Sequence, residues 1–176
     1  MSEPSRREQL IERLANHLLD SGLASASLRP MAAAAGTSDR MLLYYFETRE
    51  ALLTAVLEHV AKQMATLLEA AVPPQPLPYP VLLRRLRSAL GAPALGRYMQ
   101  LWLEIAARAA RGEAPYPTIG TAIGDAFLGW AEARLAIDAP ADARAVSALL
   151  LATLDGLALL DCVGLGDDAN AALEVI

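Results

Sequence analysis

Arg29, Arg40 and Arg49 follow one another at intervals of eleven and nine residues, interleaved with Ser27, Ser38, Asp39, Tyr44 and Tyr45. A guanidinium binds phosphate as a charged fork and grips the O6/N7 edge of guanine through two parallel hydrogen bonds. Hydroxyls and phenols add donors to phosphate oxygens. Such a set suits a nucleic-acid groove. Catalysis finds no comparable set: His17 and His59 stand without a second ligand at metal spacing, and Cys162 has no histidine close in sequence. Neither a glycine-rich phosphate loop nor a nucleophile elbow occurs. The sequence predicts no enzyme, no metal and no cofactor.

These side chains act together only if the backbone puts them on one surface. Residues 27–52 read as two short helices joined by a glycine turn, then the capped start of a third. Ser27 is an N-cap for the first, and Pro30 falls in its first turn, where N–H groups lack intrahelical partners. Four successive alanines, Ala32 to Ala35, allow a neighbouring helix to approach closely. Gly36 supplies the left-handed residue that ends the helix, and Thr37 or Ser38 caps the next. This is helix-turn-helix geometry, in which the second helix enters the DNA major groove. An ordinary helical hairpin has the same local pattern.

Residues 6–57 resemble the DNA-binding domain of the tetracycline-repressor (TetR) family of transcription regulators. The resemblance rests on Gly22, Ser27, Ala35-Gly36-Thr37-Ser38, Leu42-Leu43-Tyr44-Tyr45-Phe46 and Thr48-Arg49-Glu50-Ala51-Leu52, in the family's order and spacing. Thr37, Arg40, Met41 and Leu43 depart from the usual residues, three of them in the second helix of the pair, so no base preference transfers. The resemblance implies an all-α protein. An N-terminal three-helix helix-turn-helix DNA-binding domain would be joined by a long fourth helix to a C-terminal helical bundle used for dimerisation and effector binding. It also implies a ligand-responsive repressor, homodimeric on an inverted-repeat operator and released when an effector shifts the spacing of its reading heads. The rival readings are a helical protein–protein adaptor, or a small-molecule-binding bundle, that has lost DNA binding.

On the second helix of the pair, Met41, Leu42 and Phe46 are expected to pack inward, which turns Asp39, Arg40, Tyr44 and Tyr45 outward. Arg40 is the candidate for a direct base contact, with a salt bridge to Asp39 or Glu47 as its alternative. One of Tyr44 and Tyr45 reaches phosphate while the other packs against helix one. Arg49 occupies the first turn of a helix, where the macrodipole disfavours a cation by about 0.3–1 kcal/mol. A phosphate at that helix end would turn the liability into a contact; otherwise Glu50 offsets it. Ser27, Arg29 and Ser38 are placed for further phosphate contacts.

Composition supports helices: the 176 residues are 55% hydrophobic but only 5% aromatic, a core of Ala and Leu. The net charge of −5 runs against a broad basic field. Residues 1–50 carry six Arg against seven acidic residues, and 51–176 carry nine basic against thirteen acidic, so most of the acidity lies beyond the reading helices. DNA affinity would come from a few placed arginines and helix N-termini. Cys162, the one cysteine, sits in an apolar run and is expected to be a buried thiol. The start of the chain is polar and charged, without a signal-peptide pattern. The most apolar stretch, 146–163, contains Asp155 and Asp161. A carboxylate at the bilayer centre costs about 2.5–3.5 kcal/mol, so a cytoplasmic protein without a membrane span is expected.

The expected division is a DNA-binding domain at 1–50 and an effector-binding and dimerisation domain at 51–176. Hydrophobic spacing predicts helices at 5–21 and 48–72, a stiff proline-rich linker at 73–80, and helices at 81–90, 93–111, 118–136 and 141–163, then a turn and a short or frayed end. Met64, Tyr98, Met99, Trp102, Phe127, Trp130 and Asp155 are candidates for the pocket of a mainly apolar small-molecule effector, though the aromatics and methionines serve equally well as core. Glu104 and Arg108, four apart, read as a surface ion pair. The segment 148–160 is apolar almost all round, and Gly120 with Gly124 forms a small-residue groove. A second copy is the expected partner. Two helices from each subunit would form a four-helix bundle, seamed by Gly120, Ile123, Gly124, Phe127, Leu149, Thr153, Leu157 and Leu160.

Overall fold

The computed structural model describes residues 5–137 and 142–175, which hold nine α-helices and no strand. Helix α1 (Arg6–Ser21) opens on a capping box: Ser5 Oγ accepts the Glu8 N–H at 3.3 Å, and the Glu8 carboxylate accepts the Ser5 N–H at 2.6 Å. That backbone N–H, above all, holds the Glu8 carboxyl below its usual range. Gly22 and a 3-10 turn at Leu23–Ser25 lead into α2 (Leu28–Ala35), α3 (Asp39–Phe46) and α4 (Arg49–Ala71). Five more helices follow: α5 (Tyr79–Leu90), α6 (Pro93–Ala110), α7 (Tyr116–Glu132), α8 (Ala143–Cys162) and α9 (Gly166–Leu173).

The chain forms two compact units, one comprising residues up to Met64 with Gln100–Ile123, the other Ala65–Met99 with the chain from Gly124 onward. In the first, Leu10, Leu14 and Leu18 repeat every four residues along α1 and are buried. Two of the four alanines of α2, Ala32 and Ala35, are buried where α2 meets α1, while Ala33 and Ala34 face solvent. Leu42 and Phe46 of α3 complete the inner surface, with the Arg7 guanidinium 4.8 Å from the centre of the Phe46 ring. Gly120 lies beside α6: a Cβ there would meet Ile105 and Ala109 of the same unit at 3.8 and 3.9 Å.

In the second unit α8 packs on both α5 and α9. Its inward stripe is Ser147, Leu150, Leu154 and Leu157, spaced three and four residues apart. Arg87 grips Asp161 through both guanidinium nitrogens, which lowers the Asp161 carboxyl from its usual value. Arg144 ties the start of α8 to Asp125 and Glu132 of α7.

Four expectations change here. The 73–80 linker is not wholly extended, because α5 starts at Tyr79 with Pro80 in its first turn, where a missing N–H costs no helix bond. Leu77 is strapped to the end of α7: its N–H donates to the Arg134 carbonyl and its carbonyl accepts from Ala136, both at 2.8 Å. That pairing draws residues 134–136 out of the helix, so α7 stops at Glu132. The expected frayed end contains α9, whose first turn carries Asp167 and Asp168 on the favourable side of the macrodipole and whose Ala169 is buried. Cys162 is exposed, since it falls on the outer face of the last turn of α8.

Candidate nucleic-acid interface

The α2–α3 turn is fixed by backbone geometry. Gly36 takes φ 64° and ψ 40°, its N–H donates to Ala33 at 3.1 Å, and the Thr37 N–H donates to Ala32 at 2.9 Å. These are the two bonds of a Schellman motif. A Cβ at Gly36 would have room, its nearest neighbour being Arg13 Nη1 at 3.8 Å, so glycine is required here by φ and not by crowding. Arg13 Nη1 also donates to the Ala35 carbonyl at 3.2 Å and places a cation at the C-terminus of α2. Ser38 caps α3 by accepting the Met41 N–H at 3.3 Å. Ser27 precedes α2 in extended conformation, but its exposed side chain makes no capping bond.

Between α3 and α4 the chain folds back through Glu47, at φ 64° and ψ −52° the one described non-glycine residue with positive φ. The Thr48 N–H reaches the Phe46 carbonyl at 2.7 Å, which closes a strained γ-turn about Glu47. The turn leads directly into α4. Thr48 Oγ1 accepts the Ala51 N–H at 3.0 Å as the cap of α4.

Arg29 and Arg40 are exposed and Arg49 is half-buried; none of the three makes an ion pair with a described residue. The alternative salt bridge of Arg40 with Asp39 or Glu47 is therefore not formed, while Glu50 shares the first turn of α4 with Arg49 without pairing to it. Asp39 and Ser38 are exposed. Tyr44 is 74% exposed and Tyr45 half-buried, their rings edge to face at 5.2 Å. Met41 departs from expectation: it is exposed, because Leu42 and Phe46, one turn apart, suffice as the inner stripe and Met41 lies a quarter-turn to the side. The resulting surface offers three guanidiniums, hydroxyl and phenol donors, and helix N-termini, which together can hold phosphates and base edges.

A feature the sequence hid supports this surface. Glu104 and Arg108 of α6 do not pair with each other; both grasp Leu23, the residue that joins α1 to α2. Glu104 accepts the Leu23 N–H at 2.7 Å, and Arg108 donates to the Leu23 carbonyl at 3.4 Å and to Glu113 at 3.1 Å. Arg108 also lies over the ring of buried Tyr116, 5.4 Å from its centre. The one local sign was Gly22, which ends α1 and leaves the next N–H without a nearby polar acceptor in sequence.

Among the candidate pocket residues, Met64 and Trp102 belong to the first unit and are half-buried. In the second unit Tyr98 and Met99 are buried, while Phe127, Trp130 and Asp155 are half-buried. Phe127 and Trp130 stack with ring centres 5.8 Å apart, and Trp130 Nε1 donates to Glu69 at 2.8 Å. Among the candidate seam residues, Leu149 is 57% exposed and Leu157 only 4%. Ile123, Gly124, Phe127 and Leu160 are half-buried. Thr153 donates to the Leu149 carbonyl at 2.7 Å, so Tyr79 is the donor in its 3.0 Å contact with the Thr153 hydroxyl.

No family model matches the chain, and no curated protein matches it by sequence. Solved structures match it over nearly its whole length. A structure from Rhodococcus sp. assigned to the TetR-family transcriptional regulators aligns with a TM-score of 0.73 and 19% identity, over 96% of this chain and 94% of that one. A transcriptional regulator from Rhodococcus sp. Rha1 aligns with a TM-score of 0.74 and 26% identity, over 97% and 93%. The multidrug binding protein EbrR, complexed with proflavin, aligns with a TM-score of 0.71 and 26% identity, over 97% of each chain. Fold and helix pair together define a transcriptional regulator of the helix-turn-helix class. The fold is shared with the TetR-family structure from Rhodococcus sp., and the run from Ala35 to Leu52 resembles the DNA-binding motif of that family.

Proposed function

We propose that this protein is a ligand-responsive repressor that binds an inverted-repeat operator as a homodimer in the cytoplasm. Residues 1–50 read DNA, and residues 51–176 dimerise and take the effector. The observation that carries the reading is the set of Arg29, Arg40 and Arg49, projecting around the α2–α3 pair with no carboxylate partner among the described residues. Arg40 reads a base edge. Arg49, at the N-terminus of α4, holds a phosphate together with Ser27, Arg29, Ser38 and a phenol of Tyr44 or Tyr45, and Asp39 borders the contact.

Dimerisation is supported by the outer face of α8. Leu149, Leu159 and Val163 are 57%, 55% and 62% exposed, and Ala145, Ala148, Ala152 and Gly156 continue the same apolar stripe. The spacing of three and four residues is that of a helix–helix seam. This shifts the seam away from Leu157 and Thr153, which are engaged inside their own unit, and keeps Leu149, Leu160 and Gly124 at it. Light scattering should give a mass of twice 18.7 kDa. Leu159→Arg should yield a folded monomer, whereas Leu157→Arg, which buries a charge, should unfold the chain. A wild-type monomer at micromolar concentration would contradict the proposal.

The effector reading is supported by the half-buried Phe127 and Trp130 rings, 5.8 Å apart, where Trp130 bonds Glu69 and Arg134 lies over its ring, with Tyr98, Met99 and Asp155 in the same unit. EbrR, with its bound proflavin, is a fold relative that takes a flat aromatic molecule. Titration with proflavin as a probe should quench the fluorescence of Trp130 and weaken DNA binding by about 5- to 150-fold, the usual range of allosteric coupling. Unchanged fluorescence and DNA affinity across a panel of flat apolar compounds would leave a regulator without an effector of that class.

A further inference from the structure

Helix α3 carries an exposed apolar pair that neither phosphate nor guanine contact explains. Its inner stripe is Leu42 and Phe46, 0% and 3% exposed. At 100° per residue, Arg40 and Tyr44 point to the opposite side, and Met41 and Leu43 project to either flank of that outward face. Both flanks are open, Met41 at 39% and Leu43 at 38% exposure. On this helix there is one cation, Arg40, and one carboxylate, Asp39. Bidentate hydrogen-bonded readout from α3 is therefore confined to very few base pairs. In the major groove of ordinary DNA, the one apolar group on a base edge is the thymine C5-methyl. We propose that Met41 and Leu43 are specificity-determining residues that read thymine methyls on either side of the base contacted by Arg40.

The inference rests on the α2–α3 pair being the DNA-reading element. It adds the chemistry of the half-site: thymines flanking a guanine. The two flanks differ in what they can tolerate. Met41 is unbranched and flexible, so it follows a methyl across small shifts in register, whereas Leu43 has a shorter reach and a fixed fork. Methyl discrimination at the Leu43 position should accordingly be the sharper of the two.

The test uses the full chain and the duplex it selects from a random pool. Replacing each thymine of the half-site in turn by deoxyuridine removes one methyl and leaves base pairing intact. Wild-type protein should lose affinity about fourfold per methyl at the contacted positions and nowhere else. Met41→Ala and Leu43→Ala should each bind the thymine and uracil duplexes equally at one of those positions, and each should remain fully folded at the assay temperature by circular dichroism, since neither belongs to the buried stripe of Leu42 and Phe46. Arg40→Ala should keep the thymine preference while losing guanine preference. Equal wild-type affinity for thymine and uracil at every position overturns the inference and leaves the DNA-reading role standing. Failure to bind any duplex overturns both, and a protein partner that protects Met41 and Leu43 would then be the occupant of this face.

Discussion

Gly22→Ala should lower the stability of the protein by about 2–5 kcal/mol, the sum of backbone strain and a lost hydrogen bond to a charged group. Gly22 sits at φ 69° and ψ 179°, a region that side-chain-bearing residues essentially do not enter. A Cβ there would also stand 2.5 Å from Glu104 Oε1. The carboxylate would have to move, and with it would go the 2.7 Å bond to the Leu23 N–H that fixes the α1–α2 connection. Thermal unfolding followed by circular dichroism should show a midpoint lower by roughly 5–15 °C. The two contributions separate in a double-mutant cycle. In a Glu104→Ala background the crowding is gone, and the same glycine substitution should cost only the strain, about 1–3 kcal/mol. An equal cost of Gly22→Ala in the wild-type and Glu104→Ala backgrounds would mean that Glu104 does not hold Leu23 in solution.

Arg40→Ala and Arg49→Ala should both impair DNA binding, and in different ways. Arg40 stands at the centre of the outward face of α3, so its loss should cost about 1–3 kcal/mol against the best sequence and relax preference at one position per half-site. Arg49 lies at a helix N-terminus, where its attraction is to phosphate and carries no sequence information. Its loss should weaken all duplexes alike and reduce the slope of log K against log salt by about one unit. Fluorescence anisotropy with matched and mismatched duplexes at several salt concentrations distinguishes the two. If both variants bind as the wild type does on every duplex, the assignment of this surface is wrong.

The starts and turns of the first four helices were legible because their determinants are local. Ser5 with Glu8, Gly36 after an alanine run, and Ser38 and Thr48 as caps are all settled within four residues of themselves. Met41 was misread because hydrophobic type says nothing about which side of a helix a residue occupies once two neighbours fill the inner stripe. Glu104 and Arg108 were misread for a different reason. Their spacing of four suggests an intrahelical pair, but their true partner is Leu23, 81 and 85 residues away, and no local rule reports a contact of that separation. Helix α9 could have been anticipated from Asp167 and Asp168 in its first turn. The end of α7 could not, since it depends on Leu77 pairing with a strand-like turn across the sequence. For the proposed dimer seam, apolar composition pointed to α8 as a whole, and burial of Leu150, Leu154 and Leu157 leaves the opposite stripe of that helix exposed.

Selection from a pool of random duplexes by the purified, full-length protein tests the DNA-reading role most directly. An inverted repeat should emerge, its half-site centres about 34–36 Å apart or a multiple of that distance, as two symmetry-related α3 helices require. The Arg40→Ala, Arg49→Ala double variant should fail to enrich it. A pool that remains random, or that the double variant enriches as well as the wild type does, would contradict the reading of α2 and α3 as the element that recognises DNA.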